Sequence, residues 1–203
     1  MISCRIKITP QEVLLNGRRL ELSSTGDDLI TELYREYLAP YPKFFKMDAL
    51  CKLGYVGTEM MLDYLSGSGK GKNREIEPCS DRAVILFNRS SSLNADRHFE
   101  ATVTDRGNFF PSPAVFVYTL PNIVTGEIAI RNRYCGETSF YVLKERDLDT
   151  IARHIGYAFE DSETTSVIGG WVDYMDGNDF EALMFIADRE GLGVINEMKQ
   201  EQL

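Results

Sequence analysis

Over residues 4–22 apolar and polar side chains alternate, with Ile6, Ile8, Val13 and Leu15 as the apolar set and Asn16-Gly17 between two such runs. Alternation of this kind marks half-buried strands, and Asn-Gly supplies the positive φ angles of a tight turn, so the segment predicts a small hairpin or meander. Ser23-Ser24-Thr25-Gly26-Asp27-Asp28 reads as a loop leading into a helix, its acids suited to the positive end of the helix dipole, and predicts a short helix over 27–38. Pro40 and Pro42 end it. Beyond them Met47, Leu50, Cys51, Leu53, Gly54, Val56, Met60, Met61 and Tyr64 recur at helical spacing and predict a helix over 48–65. The apolar set wraps widely around this helix, which places it between layers and not on a surface.

Ser66-Gly67-Ser68-Gly69-Lys70-Gly71-Lys72 is a flexible basic loop. A phosphate-binding P-loop needs a glycine five residues before its Gly-Lys pair, and Tyr64 or Ser66 stands there, so a solvated loop is the reading. The continuous apolar run Ala83-Val84-Ile85-Leu86-Phe87 predicts a strand covered on both faces. Residues 94–103 predict a short helix, 105–108 a turn, and the later part of 115–130 a helix in spite of Pro121. Strands are predicted over 138–143, 166–172 and 182–187, and a helix over 148–159. Strands alternating with helices indicate a layered α/β domain.

Composition narrows the function. With 43% hydrophobic and 26% charged residues among 203, the chain is that of a folded domain large enough to bury a core without disulfides. Acidic residues outnumber basic ones 31 to 22, giving a net charge of −9, which disfavours broad contact with nucleic acid phosphates. Cys4, Cys51, Cys79 and Cys135 are scattered, and His98 and His154 stand in no ligand-like spacing, so no metal, redox pair or cofactor is expected. No apolar leader and no run of about 18 apolar residues occurs, which predicts a cytoplasmic protein without membrane contact.

From Phe109 the chain reads FFPSPAVFVYTLPNIVTGEIAIRNRYCG. This resembles β-ketoacyl-acyl-carrier-protein synthases, in which a Ser-Pro start leads into an Asn-x-x-x-Gly-x-x-x-Ile helix and a glycine turn. Ser112, Pro113, Asn122, Gly126, Ile130 and Gly136 fall on that pattern without a gap. Met47-Asp48 is similar to the family's opening of its long buried helix, and Ile168-Gly169-Gly170-Trp171-Val172-Asp173 to its Ala-Gly-Gly strand end. The match runs over 47–173 and looks closest to the short ketosynthase-like proteins of fatty-acid-like and aryl-polyene pigment clusters. Physically, Gly126 is expected to let two backbones approach, Gly136 to permit a tight turn, and Asn122 to be buried and in need of partners.

The resemblance implies a thiolase-like α/β layered half, a mixed sheet flanked by helices, truncated relative to full ketosynthases. The chain 1–203 would form one such domain, with 1–26 a β-rich opening and 180–203 a strand-helix cap that includes the first strand of a missing half. A half alone would expose apolar helix faces. The family's nucleophilic cysteine, at a helix N-terminus nine residues beyond the turn glycine, corresponds to Glu145, and neither histidine stands in a family histidine motif. No catalytic residue is therefore expected. Cys135, the nearest thiol, has no basic neighbour in sequence to activate it. The implied role is that of a non-condensing partner or scaffold to an active ketosynthase and an acyl carrier protein, in a homo- or heterodimer paired through the strand over 138–143. Arg131 and Arg133, or Lys43 and Lys46, are candidates for a basic patch toward the carrier, and Phe116, Tyr118 and Asn122 for acyl or partner binding. Two alternatives stand beside it. One is an active condensing acyltransferase completed by a second chain or by Glu145 as a base, and the other is an acyl-chain binding module with an apolar tunnel near Phe116 and Tyr118.

Overall fold

A computed structural model describes residues 1–67, 74–104, 107 and 110–192. The expected turn over 105–108, most of the loop after Ser66 and the closing helix toward Leu203 lie largely outside the described residues.

The chain opens with β1 (Ile2–Ile8), β2 (Val13–Leu15) and β3 (Arg18–Arg19), paired antiparallel in that order. The turn between β2 and β3 is made by Asn16 at φ 50° and Gly17 at φ 79°, the left-handed geometry that Asn-Gly accommodates. Helix α1 (Gly26–Tyr37) follows, then a 3-10 turn over Pro42–Lys46 and the long helix α2 (Ala49–Ser66). Asp48 caps α2 by accepting the Cys51 amide at 2.9 Å, and Gly67 ends it in the left-handed conformation. Next come β4 (Arg82–Asn88), α3 (Leu93–Thr104), α4 (Pro113–Val117), α5 (Ile123–Asn132), β5 (Thr138–Val142), α6 (Leu148–Ala158), β6 (Ser166–Asp176) and β7 (Asp179–Asp188). The short helix α4 is absent from the sequence reading because none of its residues is buried, so it leaves no periodic apolar signal. Its local signals are Ser112, whose Oγ accepts the Val115 amide at 3.4 Å, and Pro113 at the first helical position.

Among the described residues the seven strands join one sheet in the order β3-β2-β1-β7-β6-β4-β5. The pairs β4–β5 and β4–β6 are parallel, and β6–β7 and β7–β1 are antiparallel. Two strands exceed their predicted lengths because β6 and β7 form one hairpin. The register passes through Gly170, whose φ of 138° and whose approach to the Leu183 carbonyl leave no room for a side chain. Gly169 beside it makes room for Ile155 and Phe185. Of the strand-helix cap expected over 180–203, the described residues form β7 and the turn after it. Strand β7 stands between β1 and β6 in the interior of this sheet, and it is apolar on both faces because both are covered.

Two cores lie on opposite sides of the sheet. One is formed with α1, α2 and α5 and includes Leu53, Val56, Val124 and Ile128; the other is formed with α6 and includes Ile151, Ile155, Trp171 and Phe185. The architecture is therefore a mixed sheet between helical layers. Helix α6 is amphipathic: Ile151, Ala152, Ile155 and Ala158 are buried while Asp149, Arg153 and Tyr157 face outward. The expected broad apolar helix face is thus not found on α6, whose outward side is mostly polar. Exposed large apolar side chains gather instead around α4, at Phe110, Phe116, Val117 and Leu120.

Candidate functional site

Glu145, the residue expected at the position of a ketosynthase nucleophile, lies between edge strand β5 and α6. Asp147, and not Glu145, holds the start of α6: its carboxylate accepts the Asp149 amide at 3.2 Å and the Thr150 hydroxyl at 2.6 Å. The hydroxyl bond from Thr150 holds the Asp147 carboxyl below the usual range. Glu145 is exposed and precedes this cap by two residues, outside the first turn where the helix dipole acts. The neighbouring Arg146 reaches back to the Glu181 carboxylate at 2.6 Å. Cys135 precedes β5, so the five-residue strand, about 17 Å of extended chain, separates it from this junction. His154 on α6 donates through Nδ1 to the Thr150 carbonyl at 2.7 Å and packs among Tyr141, Phe87 and Tyr157.

The partner-binding candidates separate in space. Phe116 is half-exposed on α4 and packs on Phe99, with ring centroids 5.4 Å apart. Tyr118 is half-buried, its hydroxyl 3.4 Å from Glu127 Oε1, and burial raises the pKa of that hydroxyl. Asn122 is exposed at the start of α5 and its side chain makes no capping bond, so the expectation of a buried amide is corrected. Gly126 is corrected too: a Cβ placed there meets nothing within 4 Å. The close approach of helices occurs at Gly54 on α2, where a Cβ would lie 2.5 Å from Val124 Cγ2. Gly136 does serve a tight crossing, since a Cβ there would lie 2.5 Å from the Arg82 carbonyl oxygen.

The expected basic patch is divided, with Arg131 and Lys43 engaged by carboxylates and Lys46 and Arg133 exposed. Arg131 Nε lies 3.4 Å from Glu59 Oε2 and its guanidinium sits 4.9 Å from the Tyr41 ring centroid, with a side-chain exposure of 16%. Lys43 Nζ is 2.6 Å from Glu127 Oε2. That contact raises the Lys43 pKa above its ordinary value. Arg133, which ends α5 at φ 55°, and Lys46 remain exposed. The acids that recruit the other two cations are themselves buried. Glu59 also accepts from Asn132 Nδ2 at 2.8 Å and pairs with Arg74, which in turn bonds Asp63 at 2.9 Å and Asn132. This network joins α2 to α5. A glutamate within the widely apolar pattern of α2 was its signal in the sequence.

The sequence reading also missed a cleft of about 570 Å³ at the beginning of α2. Its walls are α1, α2, α3, α4 and the turn between β6 and β7, and Lys46, Tyr118 and His98 all reach it. Phe116 does not line it, and Lys46, Lys52, Asp27, Asp48 and Asp176 set charges around a surface that is otherwise largely apolar. Among the described residues no group of three or more His, Cys, Asp or Glu side chains is placed to hold a metal ion, and no helix is long and apolar enough to cross a membrane.

Neither a protein-family model nor a curated protein matches the sequence. Solved structures do match the fold. One is the ishigamide ketosynthase/chain length factor, with a TM-score of 0.63 and 15% identity over 93% of this chain and 62% of that chain. Another is a ketosynthase (ApeO) in complex with its chain length factor (ApeC) from Xenorhabdus doucetiae, with a TM-score of 0.58 and 11% identity over 93% of this chain and 78% of that chain. The chain thus spans less than two thirds of the first of these. Its layered α/β fold is that of ketosynthase/chain length factor proteins.

Proposed function

We propose that this protein is a non-condensing, chain-length-factor-like partner of an active ketosynthase in cytoplasmic fatty-acid- or polyketide-type biosynthesis, working with an acyl carrier protein. One observation carries the reading. On this fold, Glu145, the residue that the sequence pattern sets at the nucleophile's position, is an exposed carboxylate before the helix cap, and a carboxylate there supports neither a thioester nor a dipole-lowered thiolate. Loss of a nucleophile in a well-studied hydrolase lowers kcat on the order of 10⁶-fold, which sets the scale of the missing activity.

Assembly follows from the edge of the sheet. Strand β5 is terminal in the sheet, with Thr138 and Val142 exposed, so its free hydrogen-bonding edge suits pairing with the matching strand of a second subunit. Lys46 and Arg133 supply the cations available to an acidic carrier protein. The five charged side chains around the cleft near Tyr118 set it apart from an apolar acyl tunnel, and Glu145, which is exposed and does not line that cleft, is poorly placed to act as a catalytic base.

The test is co-expression with ketosynthases from its own genome, followed by light scattering and intact-mass measurement with acyl-carrier substrate. A heterodimer is expected in which only the ketosynthase acquires the acyl mass. An acyl adduct on this chain, or a protein that stays monomeric beside every such ketosynthase, would overturn the reading.

A further inference from the structure

We propose that the outer edge of β5 pairs antiparallel with β5 of a second copy of this chain, in a two-fold register centred on Phe140. This rests on the reading of β5 as the docking strand, and adds that a second copy competes with a ketosynthase for it.

Among the described residues the sheet has two edges, and they are built differently. At one edge β3 consists of Arg18 and Arg19 alone, both exposed. A short, charged edge is the kind that resists strand addition. At the other, β5 reads Thr-Ser-Phe-Tyr-Val, with no charge, no proline and an unbroken register along β4. Its β-branched and aromatic side chains suit a strand paired on both sides.

The direction of its hydrogen bonds decides what can be added. In the parallel ladder with β4, Val84 donates to the Glu137 carbonyl and Leu143 donates to the Asn88 carbonyl, each at 2.8 Å. The odd-numbered residues of β5 therefore face β4, and Thr138, Phe140 and Val142 turn their amides and carbonyls to the outer side. Centring a two-fold antiparallel pair on Phe140 sets that residue opposite itself and each Thr138 opposite the other copy's Val142. Outward residues that stand directly opposite exchange both hydrogen bonds, so every outward group of the strand finds a partner.

Neighbouring registers do less. Centring on Ser139 sets Val142 opposite Gly136, beyond the strand and without a side chain to cover it. Centring on Tyr141 sets Thr138 opposite Lys144 and Glu137 opposite Glu145, a like-charge pair that the two-fold repeats. The Phe140 register covers Val142, which is 51% exposed, with the exposed Thr138 of the other copy. It also brings the Glu137 end of each strand to the Lys144 end of the other. A contact of this isologous kind closes on itself and occupies both β5 edges.

Thr138→Cys and Val142→Cys test the register on the full chain. Mixed and oxidised with diamide, the two variants should form an intersubunit disulfide, since a directly opposite pair lies about 5.5 Å apart between Cα atoms. Neither variant alone should cross-link more than the parent, because only this register sets 138 against 142. Light scattering should show the parent as a dimer at about 50 μM. Val142→Pro removes an outward amide and spares the β4 ladder, and should raise the dimer Kd at least about tenfold. Val142→Lys repeats that test if the proline variant folds poorly, and Arg19→Glu, at the other edge, should leave the dimer unchanged. Equal cross-linking of either variant alone, or a dimer lost in Arg19→Glu and kept in the Val142 variants, would overturn the proposal. A parent that is monomeric alone but joins a ketosynthase overturns the self-pairing and leaves the partner role standing. A dimer in this register that joins no ketosynthase does the reverse.

Discussion

Val124 of α5 stands directly over Gly54 of α2, so close that a Cβ on Gly54 would lie 2.5 Å from Val124 Cγ2. Gly-to-Ala in a helix interior ordinarily stabilises by about 1 kcal/mol, but overpacking a core costs about 1–3 kcal/mol. The second effect dominates here because Val124 is fully buried and has no room to move. Gly54→Ala should lower stability by about 1–2 kcal/mol in urea denaturation. Combined with Val124→Ala it should show a coupling of at least about 0.5 kcal/mol in the restoring direction.

Gly126 has the opposite sign. It belongs to the motif that carries the family resemblance, but nothing lies within 4 Å of its would-be Cβ. Gly126→Ala should therefore stabilise by about 0.5–1 kcal/mol through helix propensity, read as a raised Tm. A loss of stability would mean that a neighbour approaches this face of α5.

Glu59 is 3% exposed and faces Arg74, Arg131 and Asn132. Glu59→Leu should cost about 3–5 kcal/mol, because it leaves Arg131 without its buried counter-charge and Arg74 with Asp63 alone. Adding Arg131→Met should recover part of that loss in a double-mutant cycle; simple additivity would show that the Glu59–Arg131 contact carries no coupling.

At low pH the loop before α1 should loosen through Glu32. Its carboxylate accepts the Ser23 amide at 2.9 Å and the Ser24 amide at 2.7 Å, and these bonds, the Ser23 amide first, hold its pKa down to about 2. A carboxyl whose folded pKa is lowered contributes stability above its unfolded value, about 4.3, and loses it as pH falls toward 2. Carboxyl-resolved NMR should show Glu32 titrating near the bottom of that window, and Glu32→Gln should flatten the acid limb of the stability profile there. A titration midpoint near 4.3 would refute the bonding.

Restoring a thiol should not restore chemistry. Glu145 is exposed and outside the first turn of α6, so Glu145→Cys should change stability by less than about 0.5 kcal/mol. The new thiol should react with iodoacetamide at the rate of an ordinary exposed cysteine and gain no mass from acyl-carrier substrate. An acyl adduct would place the junction closer to an active geometry than α6 indicates.

Local and periodic features were legible in the chain itself. Asn16-Gly17 determined a turn, the spacing from Met47 to Tyr64 determined a buried helix, and continuous apolar runs determined interior strands, because backbone geometry and burial act on neighbours a few residues apart. Motif order also carried the ketosynthase-like architecture. Tertiary structure alone decided the roles of the polar residues. Lys43 and Arg131 look free in sequence, and only folding sets Glu127 and Glu59 against them; Asn122 and Gly126 look constrained, and only folding leaves them open. The same holds for the cleft, whose walls come from α1, α2, α3, α4 and the β6–β7 turn. Charge pairing and cavity shape depend on distances between segments far apart in the chain, and the periodicity of any single segment holds no record of them.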